Sequence, residues 1–236
     1  MTEQVRITKY LSDCEIMSRR AAERAIAEGR IYVNGELAVT GQKICEDDIV
    51  TIDGKPVEKA GKKVYIMLNK PVKYVTSMSD DKGRCCVTDL TADLGARVYP
   101  VGRLDYMSEG LLILTNDGEF ANKLMHPRYG KNKEYELSVY GNLTDKQIEK
   151  FKIPIEIDGK TIEPIELKKV RYENRSTVMN IVLHEGRNRE IRNICKANNL
   201  KINYLKRVAV GGVKLGNLEK GKWRYLTEEE IKSLTE

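Results

Sequence analysis

Residues 99–120 read YPVGRLDYMSEGLLILTNDGEF. Within them LLILT (residues 111–115) is a short continuous apolar run bounded by turn signals, and such a run reads as a buried strand. Just ahead of it an acid, Asp105, follows Arg103 in a segment bounded by Gly102 and Gly110. A chain gains little stability from an acid there. Either Asp105 is a structural salt-bridge partner, with Arg103 as the local candidate, or it does chemistry. After the strand, NDG makes a turn in which Asp117 is a candidate cap for the helix EFANKLMH, which must end before Pro127.

Outward from this stretch, VYIMLNKP reads as a strand ended at Lys70-Pro71. KEYELSVYG (residues 133–141) alternates apolar and polar, as do the segments around 153–165 and 177–183, and the basic helix RNREIRNICKANN (residues 187–199) follows. Strands outnumber helices, so the class is α+β: a mixed, mainly antiparallel β-sheet with flanking helices. Glu58 to Lys63, EKAGKK, is polar and reads as a linker. Residues 1–57 form a smaller unit. Thr8 is its first candidate helix cap, ahead of Lys9, Tyr10, Leu11 and Ile16, and Ser18 is the second, ahead of RRAAERAIAEG. Two strand pairs then turn at Asn34-Gly35 and Asp53-Gly54. The expected division is 1–57, a linker at 58–63, and a larger domain at 64–236.

The chain has 236 residues and 41% hydrophobic content, enough for real cores. No apolar run approaches the roughly 20 residues that cross a bilayer, and MTEQVRITKY lacks a signal-peptide pattern, so no membrane association and a cytoplasmic location are expected. Five cysteines with no CxxC pair fit reduced thiols, and two histidines leave little material for a zinc site or a Ser-His-Asp hydrolase. GGVKLGNLEKG lacks the ending of a P-loop. The net charge is +6, yet residues 187–225 alone hold eleven basic residues against two acids. Such density points to a polyanion, most plausibly nucleic acid, because neutralising phosphates releases condensed counterions.

Beside RNA, Asp105 could serve a metal-dependent nuclease, but those sites gather several carboxylates and no second acidic cluster of suitable spacing is evident. A single carboxylate with a basic partner suits metal-free covalent or general-base catalysis, because a guanidinium favours the charged form and fixes its oxygens in a fork.

At these residues the chain resembles a known family. VRITKYLSDCEIMSRRAAERAIAEGRIYVNG, followed by DDIVTIDG, resembles the S4-type RNA-binding domain. YPVGRLDYMSEGLLILTNDG is similar to the catalytic motif of pseudouridine synthases, in the RsuA/RluB branch that joins an S4 domain to the pseudouridine synthase fold. MLNKP, KEY and EGRNREIRN match three further motifs in order. The resemblance implies Asp105 as catalytic aspartate, Tyr135 as the ring that stacks on the target uracil, and Arg192 as the partner of Asp105. Arg103, Lys133 and Leu205 are the expected substrate-binding residues, Leu205 closing the pocket. Arg6, Lys9, Ser18, Arg19 and Arg20 are expected on the RNA face of the S4 unit, and Arg187, Arg189, Lys206 and Arg207 on that of the larger domain. No cofactor and no metal is implied. Glu190, where many members carry Gln, resembles the large-subunit branch, so 23S ribosomal RNA is expected over 16S, as free RNA or in a ribosomal subunit assembly intermediate, bound by a monomer. A non-catalytic assembly factor is the competing reading.

Overall fold

The computed structural model describes residues 4–58, 61–126, 131–157, 159–184 and 189–236. Two compact units emerge, one of Met1–Lys63 with Asn116–Gly118 and one of Val64–Thr115 with Glu119–Glu236. Among the described residues no helix is long and apolar enough to cross a membrane.

In the smaller unit, β1 (Val5–Arg6) runs directly into α1 (Ile7–Asp13), and α2 (Arg19–Ala27) follows. Thr8 is not the cap of α1. The helix begins at Ile7, with Arg6 at the cap position making no side-chain bond, because Arg6 is held extended against Lys43 and Ile7 must enter the core. Ile16 likewise lies beyond the helix end and is exposed. Ser18 does cap α2, its Oγ accepting Ala21 N–H at 3.2 Å. Strands β2 (Ile31–Val33) and β3 (Glu36–Leu37) pair across Asn34 and Gly35, whose φ values of 52° and 86° are those of a primed hairpin turn. β4 (Lys43–Ile44) pairs with β1, and β5 (Val50–Ile52) and β6 (Lys55–Pro56) repeat the hairpin at Asp53-Gly54. Ile7, Leu11, Ala25, Ile26, Ile31 and Val50 are buried together.

The larger unit is built on one sheet. In chain order its elements are β7 (Tyr65–Lys70), a 3-10 helix (Val87–Leu94), β8 (Tyr99–Val101), β9 (Glu109–Thr115), α3 (Gly118–Met125), β10 (Lys133–Tyr140), α4 (Asp145–Glu149), β11 (Ile155–Ile157) and β12 (Lys160–Ile162). There follow β13 (Glu166–Glu173), β14 (Ser176–Leu183), α5 (Glu190–Ala197), β15 (Ile202–Val210), β16 (Val213–Lys214), β17 (Trp223–Tyr225) and α6 (Glu228–Thr235). The strand order is β13-β14-β10-β15-β9-β7-β17, with β16 beside β15 and β8 beside β9. Among the described strands the β9–β15 pair alone is parallel, so the sheet is mixed and mainly antiparallel.

The apolar run at 111–115 is explained by its place in this sheet. Leu111 and Ile113 point to a core with Phe120 and Leu124 of α3 and Leu234 of α6, while Leu112 and Leu114 point to a core with Leu137, Ile181 and Ile191 and Ile194 of α5. A strand covered on both faces has no reason to alternate. Its first glycine is dictated by the crossing. At Gly110 φ is +104°, and a Cβ would lie 2.2 Å from Arg207 O and 2.7 Å from Arg207 N, so only glycine lets β9 and β15 approach.

Candidate active site

The turn Asp105–Ser108 lies between β8 and β9, closed by Ser108 N–H donating to Asp105 O at 3.0 Å. Every carbonyl in it is taken. Lys70, at the end of β7 and 0% exposed, donates Nζ–H to Pro71 O at 2.9 Å, Asp105 O at 3.2 Å and Ser108 O at 2.9 Å. An ammonium has three donors, and all are used on this strand end and turn. Lys73 N–H donates to Tyr106 O at 2.7 Å, and Arg192 Nη2 donates to Met107 O at 2.7 Å and to buried Ser108 Oγ at 2.9 Å. Upstream, Thr76 Oγ1 donates to Leu104 O at 2.7 Å and accepts Leu104 N–H at 3.3 Å. A turn with so few free backbone groups holds its side chains in one orientation.

Asp105 Oδ2 accepts from Arg192 Nε at 3.1 Å and stands 3.5 Å from Arg189 Nη1. Arg192 lies in the first turn of α5, whose Ile191, Ile194 and Cys195 are buried and thereby fix the arginine's direction. Arg103 makes no bond to Asp105, which excludes the local salt bridge. Burial pushes the Lys70 ammonium down to about 8, against the pull of Asp105 and Glu109 and together with Arg207. Lys133 is also lowered, first by burial and then by Arg207, with Glu190 opposing. Buried on α5, the Cys195 thiol is pushed up to about 12.

Asp105 opens on a cavity of about 600 Å³ whose lining includes Arg103, Lys133, Tyr135, Glu190, Arg192 and Leu205. Six of the expected larger-domain residues thus meet there: Asp105, Tyr135, Arg192, Arg103, Lys133 and Leu205. Arg189 and Arg207 line it as well. The register of β10 against β15 shifts between Glu134 and Tyr135, and Tyr135 and Leu137 then stand opposite Arg207 and Leu205. Such irregularities re-aim side chains beside active sites.

Not every expected RNA contact is on an open surface. Arg207 is 4% exposed, its Nε donating to Leu111 O at 2.7 Å, so it ties β15 to β9 and reaches only the cavity, not an outer RNA face. Lys206 points to the opposite side of β15 and is half-buried. Arg187 lies outside the described residues. In the smaller unit Arg6, Arg19 and Arg20 are exposed, Lys9 pairs with Asp13 at 3.7 Å, and Ser18 serves the α2 cap.

Lys70, Thr76, Ser108 and Gly110 carry the turn yet were not singled out in the sequence. For Lys70 a signal existed: a lysine closing the otherwise apolar strand YIMLNK is buried only if its ammonium is satisfied. Among the described residues no group of three or more His, Cys, Asp or Glu side chains is placed to hold a metal ion.

Two family models match the sequence, one for RNA pseudouridylate synthase over residues 64–197 and one for the S4 domain over residues 5–50. An uncharacterized RNA pseudouridine synthase of Aquifex aeolicus is 46% identical over 234 residues, covering 98% of this chain and 94% of that protein. Ribosomal large subunit pseudouridine synthase B of Bacillus subtilis is 37% identical, covering 97% and 95%. Dual-specificity RNA pseudouridine synthase RluF of Salmonella typhi is 34% identical, covering 96% and 77%. Among solved structures, a crystal structure of a pseudouridylate synthase superposes with a TM-score of 0.68 at 25% identity, covering 98% of this chain and 99% of the other.

Proposed function

The chain belongs to the RNA pseudouridylate synthase family and carries an S4 domain, and from that premise we propose that it isomerises a uridine of ribosomal RNA, in the large subunit rather than the small, to pseudouridine. The observation that carries the reading is the Arg192 clamp: one guanidinium binds the Asp105 carboxylate and the turn that bears it, at the mouth of a cavity lined by Tyr135 and Leu205. Large-subunit RNA is favoured by Glu190 and by the likeness to the Bacillus subtilis protein.

The reaction breaks the C1′–N1 bond, turns the base, and joins C1′ to C5; the C5 proton leaves to solvent and N1 gains one. Asp105 supplies the reacting carboxylate. It adds to C1′ or C6, or takes the C2′ proton, and each route needs the oxygen held in a fixed place. Arg192 provides that by occupying Oδ2 from the side, leaving Oδ1 for the substrate. The target atom is shielded in a base stack, so the nucleotide enters flipped out, and the loss of stacking, a few kcal/mol, is offset in part by Tyr135. Arg103, Arg189 and Lys133 line the same space as cations for the RNA backbone, and Arg6, Arg19 and Arg20 give the S4 domain a share in affinity without reading sequence.

The test uses ribosomal RNA transcripts tritiated at uracil C5. Intact protein should release tritium from a large-subunit fragment, and Asp105→Asn should release none while binding the RNA with unchanged affinity. Release by the variant at the rate of the intact protein would remove Asp105 from the chemistry. Release from small-subunit fragments alone would reverse the choice of RNA.

A further inference from the structure

Next to Asp105 in the clamped turn, Tyr106 and Met107 present large side chains to solvent, Tyr106 at 38% and Met107 at 52% exposure. Tyr106 belongs to neither apolar cluster of its unit. Its backbone is fixed by the Lys73 N–H bond to its carbonyl, and its ring is backed by Arg84, whose Cζ lies 5.6 Å from the ring centroid. Arg84 is itself fixed. Its Nη2 donates to Asp80 Oδ1 at 2.6 Å and its Nε to Asp80 Oδ2 at 3.0 Å, while the backbone N–H groups of Lys82 and Arg84 also donate to Oδ2 at 3.1 Å. The segment 71–86 is thus anchored to the catalytic turn at two places, Lys73 on the Tyr106 carbonyl and Arg84 on the Tyr106 ring, and by Thr76 to Leu104 just ahead of it.

An exposed aromatic ring in a rigid turn, backed by a half-exposed guanidinium, is more than that turn needs for its own stability. A cation over a tyrosine face at an exposed site contributes about 0.5–1 kcal/mol, little beside the hydrogen bonds already holding the turn. What does need such a ring is the substrate. When a nucleotide is flipped into the cavity, each neighbour in the strand loses a stacking partner on one side. The residue after the reacting carboxylate is within reach of that neighbour, since successive Cα atoms are about 3.8 Å apart. A tyrosine face accepts any base, and the Arg84 guanidinium, itself paired with Asp80, holds the ring from behind.

We infer that Tyr106, backed by Arg84, forms a second nucleotide subsite beside Asp105 and outside the cavity lining, where the nucleotide adjoining the target uridine stacks on the Tyr106 ring. The inference rests on the proposed action on RNA but not on the chemistry assigned to Asp105. Tyr106 is here a binding residue, and its removal weakens substrate capture without disturbing the carboxylate.

Intact protein, Tyr106→Leu and Tyr106→Phe are compared on deproteinised large-subunit ribosomal RNA, by steady-state tritium release and by ultraviolet crosslinking with mass-spectrometric mapping of nucleotide adducts. Tyr106→Leu should raise KM about ten-fold with kcat within about two-fold, and Tyr106→Phe should restore KM, because stacking on one base is what is lost. The Tyr106 peptide should carry an adduct, at the nucleotide next to the one that is modified. An unchanged KM in Tyr106→Leu, or adducts elsewhere on the protein with none at Tyr106, overturns the subsite while leaving catalysis in place. An adduct at Tyr106 without tritium release keeps the subsite and removes the catalytic reading. A fall in kcat as large as the rise in KM makes Tyr106 a structural part of the turn.

Discussion

Replacing Lys70 with Met separates the stability of the catalytic turn from its placement. The ammonium donates to Pro71 O, Asp105 O and Ser108 O, and Asp105 O alone of these keeps a second donor, Ser108 N–H. Two carbonyls therefore lose this donor, Ser108 O buried and Pro71 O partly buried, at up to about 1–3 kcal/mol each. Against that, a lysine whose pKa falls from 10.5 to about 8 carries a cost of burying its charge of about 3 kcal/mol, which methionine does not incur. The two nearly cancel, so Lys70→Met should unfold within about 3 kcal/mol of the intact protein in urea. Turnover should fall much further. With three ties gone, a drift of about 1 Å in Asp105 suffices for a roughly 100-fold loss.

The same lysine gives a pH signature. Its folded value lies below its unfolded one, so above about pH 8 the unfolded chain holds the extra proton and stability rises with pH, by at most about 1.4 kcal/mol per unit. Cys195, raised to about 12, opposes this from about pH 9 upward, which leaves pH 8 to 9 as the window. Urea denaturation there should show intact protein gaining on Lys70→Met, while its turnover declines as the third donor proton is lost. Wild-type turnover in Lys70→Met, or a turnover loss that merely follows unfolding, would refute this account of the turn.

Gly110→Ala forces a Cβ to 2.2 Å from Arg207 O at a φ of +104° and should destabilise the larger unit by about 3 kcal/mol or more; an unchanged urea midpoint would mean that β9 and β15 part freely. Arg192→Lys keeps the charge and loses the fork, so turnover should fall at least about ten-fold while the Kd for RNA stays within about two-fold. Equal losses in both would make Arg192 a phosphate anchor. Replacing Arg19 and Arg20 with Ser should lower the salt dependence of RNA binding by about two counterions, with turnover at saturating RNA unchanged; an unaltered salt slope would take both off the RNA face.

Where local rules suffice, the sequence decides the element. Asn34-Gly35 and Asp53-Gly54 turn because those residues tolerate positive φ, Ser18 caps α2 because its hydroxyl reaches a free N–H, and the run at 111–115 is a strand because an apolar stretch so short is buried. Where packing overrides local preference, the sequence does not decide it. Thr8 has the chemistry of a cap, but pairing of Arg6 with Lys43 starts the helix at Ile7. β13 (ELKKVRYE) carries no clear strand pattern in the sequence, because an edge strand needs few buried residues and carries charge.

The candidate site divides in the same way. The residue types at 105, 135 and 192 were fixed by the chain, as was a basic segment suited to RNA. The family resemblance names Arg192 as the partner of Asp105, whereas the residues alone leave Arg103 as a local candidate, because an ion pair is chosen by distance and Arg192 is 87 positions away. Only folding also turns Arg207 from a surface cation into a buried tie between β15 and β9. Lys70 was likewise undecided until the strand β7 and the turn 105–108 met. A buried ammonium is tolerable only where three carbonyls converge on it, and that convergence is a property of the fold and not of any segment.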